Sequence, residues 1–431
     1  MDILIPIETS SRELLYKTYL CHLLAKRGFT CYLGTKSSIY KLMLEFKGYI
    51  YIDKGYHQNV SEKLYEIINK RNGMIISLDD EGSVDYADNS TLLKVRYTKK
   101  LFSESDIVFL WGSQQHKVVQ PNIFDNNKVF VTGHPKFELL KVNYHLFYRD
   151  EVNSIEKKYS KFILINTNMG HGNNINGDDF IRNTYRDRIP NIDQLIDFDK
   201  KKCDAFIDLV KTISDKLSKT IIFRPHPEED IKYYKNAFKD LSNVHVIYEG
   251  SVIPWLIASE VMIHPDCTTG IESLFLGKKS ISFLPKTCNP NLITKIPLEV
   301  SYIFTEKNDV INFLKAQLHT ETLNINDYRA VEDNFSYSKD SSLIITDKIS
   351  EYLISSQSDK FNQIRFKDFL NLSYWSLKRK LNYKSGALQK NKLKGFNYKE
   401  IKRISSLVVE VNPDCRETKV KKICSGLFRF S

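Results

Sequence analysis

The stretch DILIPIETSSRELLYKTYLCHLLAKRGFTCYLG, residues 2–34, decides the fold. It opens on a short β-rich run, DILIPIE (2–8), and closes on another, TCYLG (30–34). Between them, SRELLYKTYLCHLLAKR (11–27) sets Leu14, Leu15, Tyr19, Leu20, Leu23 and Leu24 on roughly one face of a helix. Ser10 or Ser11 is placed to cap its start and Gly28 its end. Strand, amphipathic helix and strand make the unit of a parallel α/β layer. The alternation continues through GYIYID (48–53), GMIISLD (73–79), DIVFLWG (106–112) and KVFVTG (128–133). These runs predict a doubly wound lobe over residues 1–147.

The charged segment DEVNSIEKKYS (150–160) reads as a connection, after which the pattern restarts. KFILINTN (161–168), TIIFRPHP (220–227), VHVIYEG (244–250), VMIHPD (261–266) and KSISFLP (279–285) supply strands. Helices are expected at 203–217, 307–317 and 341–355, and the polar Gly/Asn-rich interval 170–196 reads as a binding loop. A second Rossmann-like lobe over 160–355 follows. The expected architecture is α/β: two doubly wound lobes facing a cleft lined by the carboxyl ends of both sheets, where open α/β sheets bind ligands.

Composition narrows the function. The chain has 431 residues, 42% apolar and 27% charged, enough for two cores and inconsistent with a disordered protein. No window reaches the roughly 18 uninterrupted apolar residues of a membrane span. The N-terminus lacks the basic-then-apolar order of a signal peptide, since Glu8, Arg12 and Glu13 interrupt it. Seven cysteines without a CxxC pair read as free thiols in a cytoplasmic protein. The net charge of +11 has one source. From Lys378 to Ser431 there are 15 Lys/Arg and 4 Asp/Glu, so the remaining residues hold 48 of each sign (63 − 15 and 52 − 4). A neutral body argues against a nucleic-acid protein. The segment 356–431, basic and interspersed with Trp375, Tyr383, Phe396, Tyr398, Phe428 and Phe430, reads as an extension that contacts the cytoplasmic face of the inner membrane. KEIKRISSLVVEV (399–411) would be its amphipathic helix, and the extension is expected to be removable at residue 377 without loss of the fold.

Four motifs sit at predicted strand ends. SLDDEGSVDYAD (77–88) puts Asp79, Asp80 and Glu81 before Gly82, and packed like charges raise a carboxyl toward a useful base, although a solvated acidic loop has the same composition. FRPHPEED (223–230) holds His226 between Pro225 and Pro227, with Arg224 and Glu228 beside it, which suits a phosphate contact. IHPDCTTGIESLFLGKK (263–279) brings Thr268, Thr269, Gly270 and Glu272 to the start of a helix, an anion-binding arrangement. LINTNMGHGNN (164–174) offers Asn166, Thr167 and Asn168, with Gly170 and Gly172 allowing close backbone approach. No Walker A, GxGxxG, HExxH, GxSxG or EF-hand pattern is present, so the expected reaction uses neither metal nor organic cofactor.

Seven stretches carry a resemblance: ILIPIETSSREL (3–14), LDDEG (78–82), VFLWG (108–112), VFVTGHPKFELL (129–140), FILINTN (162–168), RPHPE (224–228) and HPDCTTGIESLFLGK (264–278). In order, they resemble the surface carbohydrate biosynthesis proteins of bacterial lipopolysaccharide and capsule clusters, which look like GT-B glycosyltransferases. More distantly, Asp80-Glu81-Gly82, His226-Pro227 and Thr268-Thr269 are similar to motifs of bacterial sialyltransferases and Kdo transferases. That resemblance implies an acid on the acceptor side, Asp80 or Glu81 with Asp79 as a third candidate. It also implies a histidine on the phosphate of a CMP-linked sugar and hydroxyls that hold this phosphate. His134-Pro135 and His264-Pro265 share the dipeptide, and Arg224 and Glu228 favour His226. The implied activity is transfer of a sugar from a nucleotide donor to a glycan or lipid-linked acceptor. A polyol-phosphate transferase, a nucleotide-sugar 2-epimerase and a non-catalytic membrane-associated subunit are the alternatives.

Overall fold

The computed structural model describes residues 1–82, 92–186, 189, 191–285, 292–317, 329–356, 374 and 392–431. The described residues of 1–147 and of 329–431 form one compact unit, and those of 148–317 form a second.

The first unit holds an eight-stranded sheet. Its strands are β1 (Asp2–Ile7), β2 (Thr30–Thr35), β3 (Ile50–Asp53), β4 (Met74–Leu78), β5 (Ile107–Leu110) and β6 (Val129–Val131), joined by β13 (Val420–Cys424) and β14 (Leu427–Phe430). The order is β13-β14-β2-β1-β3-β4-β5-β6. β1 to β6 run parallel, and β1 is buried along its whole length, as expected of a strand covered on both faces. The chain passes from β2 to β3 across β1, so the connections change side between β1 and β3. The core on one face gathers Leu4, Ile39, Leu42, Tyr49, Tyr65 and Ile75.

The described residues 392–431 of the basic C-terminal segment are part of this unit, which corrects the reading of that part as an extension. β14 pairs antiparallel with β2, Leu427 opposite Gly34 and Phe430 opposite Cys31, and β13 closes the hairpin. Gly426 makes its turn at φ +71°. The helix Tyr398–Val411 buries Ile401, Ile404, Leu407 and Val408. The helix Ser10–Lys26 is accordingly covered nearly all round: Glu13, Lys17, Thr18 and His22 are buried along with its leucines. His22 Nε2 lies 3.0 Å from Ser405 Oγ, and its ring meets Phe430 edge-on. The serines do not cap this helix; the Glu13 carboxylate accepts from the N–H groups of Glu8 and Thr9 instead. The helix Ser341–Ser356, expected to close the second lobe, also belongs here, and Ser342 donates through both N and Oγ to Glu138 Oε2 at 2.6 Å. Of the segment 378–431, the residues before Lys392 lie outside the described ones. The second lobe therefore ends before residue 329 and not at 355.

The second unit is built on six parallel strands: β7 (Phe162–Asn166), β8 (Thr220–Arg224), β9 (Val244–Val246), β10 (Val261–His264), β11 (Ser280–Phe283) and β12 (Tyr302–Phe304). Their order is β12-β11-β10-β7-β8-β9, which puts the change of side between β7 and β10. Its core joins Ile163, Ile165, Phe206, Phe223, Ile263 and Ile281. The interval expected as one long loop contains two helical stretches, Asp178–Tyr185 and the start of Ile192–Lys216. Ile181, Ile192, Leu195, Ile196 and Phe198 bury one another in a small core of their own, which is what orders this polar-looking segment. The connection at 150–160 is likewise ordered, as the helix Arg149–Tyr159. Among the described residues no helix is long and apolar enough to cross a membrane.

Candidate functional site

In the first unit the acidic turn after β4 is dominated by charge pairing. Asp79 is buried, and Arg96 grips both of its oxygens, with Nε 3.0 Å from Oδ2 and Nη2 2.5 Å from Oδ1. Trp111 Nε1 donates to the Asp79 carbonyl at 2.7 Å and fixes the turn. Gly82 belongs to the same packing, since a Cβ there would lie 2.1 Å from Tyr97 Oη. The Asp80 side chain, 12% exposed, accepts from Tyr16 Oη and lies 3.5 Å from His134 Nε2 and 3.6 Å from Lys17 Nζ. Glu81 points outward, 62% exposed, toward Arg12 and Arg96. Desolvation alone would raise its carboxyl, but Arg96, Arg12, Lys54 and Lys136 together hold it at about 2. The acids do not stand as three repelling carboxylates: Asp79 is clamped, Glu81 is held ionised, and Asp80 is half-enclosed.

His134, set aside in the sequence, is the histidine that faces this turn. It is fully buried, and burial, Lys136 and Lys17 keep its ring neutral by lowering it well below the usual range. Its Nδ1 accepts from the Lys136 N–H at 3.1 Å, so Nε2 carries the hydrogen toward Asp80. Lys54 joins Glu8 and Glu13 at 3.0 and 3.1 Å, and Lys17 joins Glu13 at 2.7 Å.

In the second unit the predicted residues gather at the carboxyl ends of β7, β8 and β10. Asn168 Nδ2 donates to Asp266 Oδ1 at 3.0 Å and so ties the loop after β7 to the loop after β10, across the change of side. Asp266 also accepts from Lys202 Nζ at 3.3 Å and from the Thr294 N–H at 3.0 Å. Lys202 is shared with Asp199, 2.9 Å away, whose other oxygen faces His171. Three buried polar atoms here have no hydrogen-bond partner: Asn166 Nδ2, Asn168 Oδ1 and Thr269 Oγ1. The His226 N–H donates to Thr167 Oγ1 at 3.2 Å, and its Nδ1 receives the Glu228 N–H at 3.4 Å. A Cβ on Gly170 would sit 3.6 Å from His226 Nδ1 and 3.4 Å from Glu228 Cβ, so this glycine keeps room beside both.

Some predicted residues have other tasks. Arg224 turns away from the group: its guanidinium donates to the carbonyls of Glu249 and Gly250 at 2.8 and 3.3 Å and lies over Trp255. Thr268 is exposed and makes no side-chain cap. Gly270 is required by His264, since a Cβ would lie 2.7 Å from its Nε2. His264 Nδ1 takes the Cys267 N–H at 3.1 Å, and Nε2 meets Ser301 Oγ at 2.9 Å, so this second His-Pro pair is a structural bracket. Glu272 lies half-buried in the first turn of the helix Thr269–Phe275.

Sequence reasoning passed over Glu229. It is 3% exposed and accepts from Thr167 Oγ1, the N–H groups of Met169 and His226, and Tyr234 Oη. Burial pushes its carboxyl up to about 7 even against these bonds. Its one sequence signal was its place directly after His-Pro-Glu.

No family model matches the chain, and no curated protein matches it. Solved structures do. The S. aureus MnaA–UDP co-structure is similar with a TM-score of 0.51 at 12% identity, covering 84% of this chain and 100% of that one. UDP-GlcNAc 2-epimerase from Methanocaldococcus jannaschii gives 0.51 at 11%, covering 81% and 100%. UDP-GlcNAc 2-epimerase from Neisseria meningitidis, bound to UDP-GlcNAc, gives 0.50 at 13%, with the same coverage. At such identities the likeness is one of fold, and the fold is of the GT-B type.

Proposed function

We propose that this chain is a nucleotide-sugar enzyme of surface-glycan synthesis, and that it transfers the sugar to a glycan or lipid-linked acceptor. One observation carries the reading. The loops after β7 and β10 meet at the change of side in the second unit, with Asn166, Asn168 and Thr269 each presenting a buried polar atom that has no partner. Ligands of open α/β sheets bind at such a point, and buried unpaired groups are costly unless something fills them. His226, Thr269 and Asn166 would hold the donor's phosphate there. Asp80, backed by Tyr16 and His134, would take the proton from the acceptor hydroxyl; Glu81, held near 2, is a poor base. Turnover is expected to survive EDTA, and a loss restored by Mg²⁺ would show that a divalent cation serves the donor's phosphate. Lysines exposed on the C-terminal segment, Lys399, Lys402, Lys419, Lys421 and Lys422, would meet an anionic membrane surface carrying the acceptor. The neighbouring structures named for UDP-GlcNAc and UDP support a second reading, epimerisation of the nucleotide sugar.

A thermal-shift panel of CMP, CDP, UDP, GDP and ADP tests the binding step. A nucleotide at ~100 times its Kd adds about 2.7 kcal/mol of stability. No shift with any of them would remove the reading. Incubation with the nucleotide sugar of the nucleotide that binds then separates the two reactions. Release of free nucleotide that depends on an added glycan supports transfer, and a new isomer of the intact nucleotide sugar supports epimerisation.

A further inference from the structure

Resting on the phosphate site just proposed, we infer that Glu229 is its positioning residue, and that a proton joins Glu229 when the phosphate binds. The carboxylate lies between two loops that both build the site. From the loop after β7 it accepts Thr167 Oγ1 at 2.8 Å on each oxygen and the Met169 N–H at 2.8 Å. From the loop after β8 it accepts the His226 N–H at 3.3 Å, and from the following helix Tyr234 Oη at 2.6 Å. Thr167 Oγ1 in turn accepts from the His226 N–H. The backbone of His226 is thus held by the carboxylate and by the hydroxyl that the carboxylate itself holds.

The partners are all neutral. None of those hydrogen bonds comes from a cation, unlike the arginine clamp on Asp79. The titratable and charged groups facing it are Tyr234, Cys203 with its Sγ 3.3 Å from Tyr234 Oη, the Asp199–Lys202 pair on the same helix as Cys203, and His226 and Glu228 on its own loop. A phosphate brought to His226 therefore places a second anion beside a buried carboxylate whose hydrogen-bond donors are all neutral, and taking up a proton from solvent removes that repulsion.

The network accepts the proton without breaking. The two N–H groups of Met169 and His226 cannot reverse, and both point at Oε1. Oε2 faces only hydroxyls, Thr167 Oγ1 and Tyr234 Oη, which can turn from donor to acceptor. A proton on Oε2 donates to Tyr234 Oη, whose own hydrogen turns to Cys203 Sγ. His226 stays in place in both states. Glu229→Gln copies the protonated state in shape and hydrogen bonding.

The test uses the full chain with UDP-GlcNAc, UDP and CMP as probes, by calorimetry at pH 7.5–8 in two buffers of different ionisation enthalpy. The expected result is uptake of close to one proton on binding in the parent, close to none in Glu229→Gln, and retained uptake in His226→Gln. Equal uptake in parent and Glu229→Gln, or uptake lost only in His226→Gln, overturns the proposal. A second readout needs no ligand: the pH titration shared by the Met169 and His226 backbone N–H signals, both of which point at Glu229 Oε1, by NMR in the parent, Glu229→Gln and Tyr234→Phe. An inflection near pH 7 in the parent, absent in Glu229→Gln and moved upward in Tyr234→Phe, supports the positioning role. Identical titrations in all three overturn it. If no probe binds, the nucleotide reading falls, and the NMR titration alone decides whether Glu229 positions His226.

Discussion

The two units treat their strand ends in opposite ways. In the first, the carboxyl ends of β1, β3, β4 and β6 carry charges that are already paired: Asp79 with Arg96, Glu13 with Lys17 and Lys54, Glu8 with Lys36 and Lys54. In the second, the ends of β7, β8 and β10 carry Glu229 with neutral donors only, together with the unpaired atoms of Asn166, Asn168 and Thr269. Lys202, shared by Asp199 and Asp266, is the exception there. A strand end whose ions are paired carries its charge without a ligand, even with Asp80 Oδ2 and His134 Nε2 buried there without a hydrogen-bond partner. One with desolvated and unpaired groups sits at a higher free energy until something binds.

The difference extends to how each unit is assembled. The described residues of the second all fall between 148 and 317, whereas the first needs its C-terminal segment. Ending the chain at residue 377 removes the partner of β2 and the buried side chains of Ile401, Ile404, Val408, Leu427, Phe428 and Phe430. At ~1.5–3 kcal/mol for each, the loss matches or exceeds the whole stability of a typical domain, ~5–15 kcal/mol. Amide exchange is expected to show protection lost throughout the first unit and kept in β7, β8 and β10. A truncated chain with native exchange in β1 and β2 would dissolve this contrast.

Arg96→Ala probes the paired end. It leaves Asp79 buried and uncompensated, and ~3–5 kcal/mol of stability should be lost in chemical denaturation. A loss under 1 kcal/mol would show that water already serves the turn. His226→Ala probes the receptive end. There stability should hold while nucleotide affinity falls by ~1.5–3 kcal/mol, the worth of a charge-assisted contact, or about 10- to 100-fold. Equal nucleotide affinity in the two proteins would mean that the second unit's strand ends bind something else.

Much of this was legible. The runs that became β1 to β11 are short, apolar and regularly spaced, and burial on both faces leaves most of them few alternatives. The C-terminal hairpin was hidden by its own composition. In KVKKICSGLFRF, Lys421 and Lys422 of the edge strand, with Lys419 just before it, stand among the apolar residues that dock the hairpin, so the charge count spoke louder than the alternation around Gly426. The helical start at Ile192 was hidden by the polar residues of its exposed face. At the sites, the motif positions were visible but the directions of side chains were not. Arg224 and His226 are two residues apart, yet the first braces Glu249 and Gly250 while the second lies against Thr167. Nothing in the sequence separated His134, which faces Asp80, from His264, which braces Ser301. All three histidines precede a proline, and only the partners brought by other strands distinguish them.

The smallest expected effect is the most diagnostic of the contrast. Thr269→Val keeps the shape of the side chain and removes a hydroxyl that is buried with no partner. Where a hydroxyl is hydrogen-bonded, its loss destabilises by ~0.5–1.5 kcal/mol; where it is buried and unbonded, its removal relieves a desolvation cost instead. The ligand-free variant should therefore be as stable as the parent or more stable by up to ~1 kcal/mol. If that hydroxyl is kept for the donor's phosphate, affinity should move the other way, falling by ~0.5–1.5 kcal/mol, roughly 2- to 10-fold. Paired melting and calorimetric titrations read both quantities on the same sample. Opposite signs would identify Thr269 as a group held unsatisfied for a ligand. A loss of stability without a change in affinity would make it an ordinary bonded threonine, and the hydroxyl would then not be one held open for a ligand.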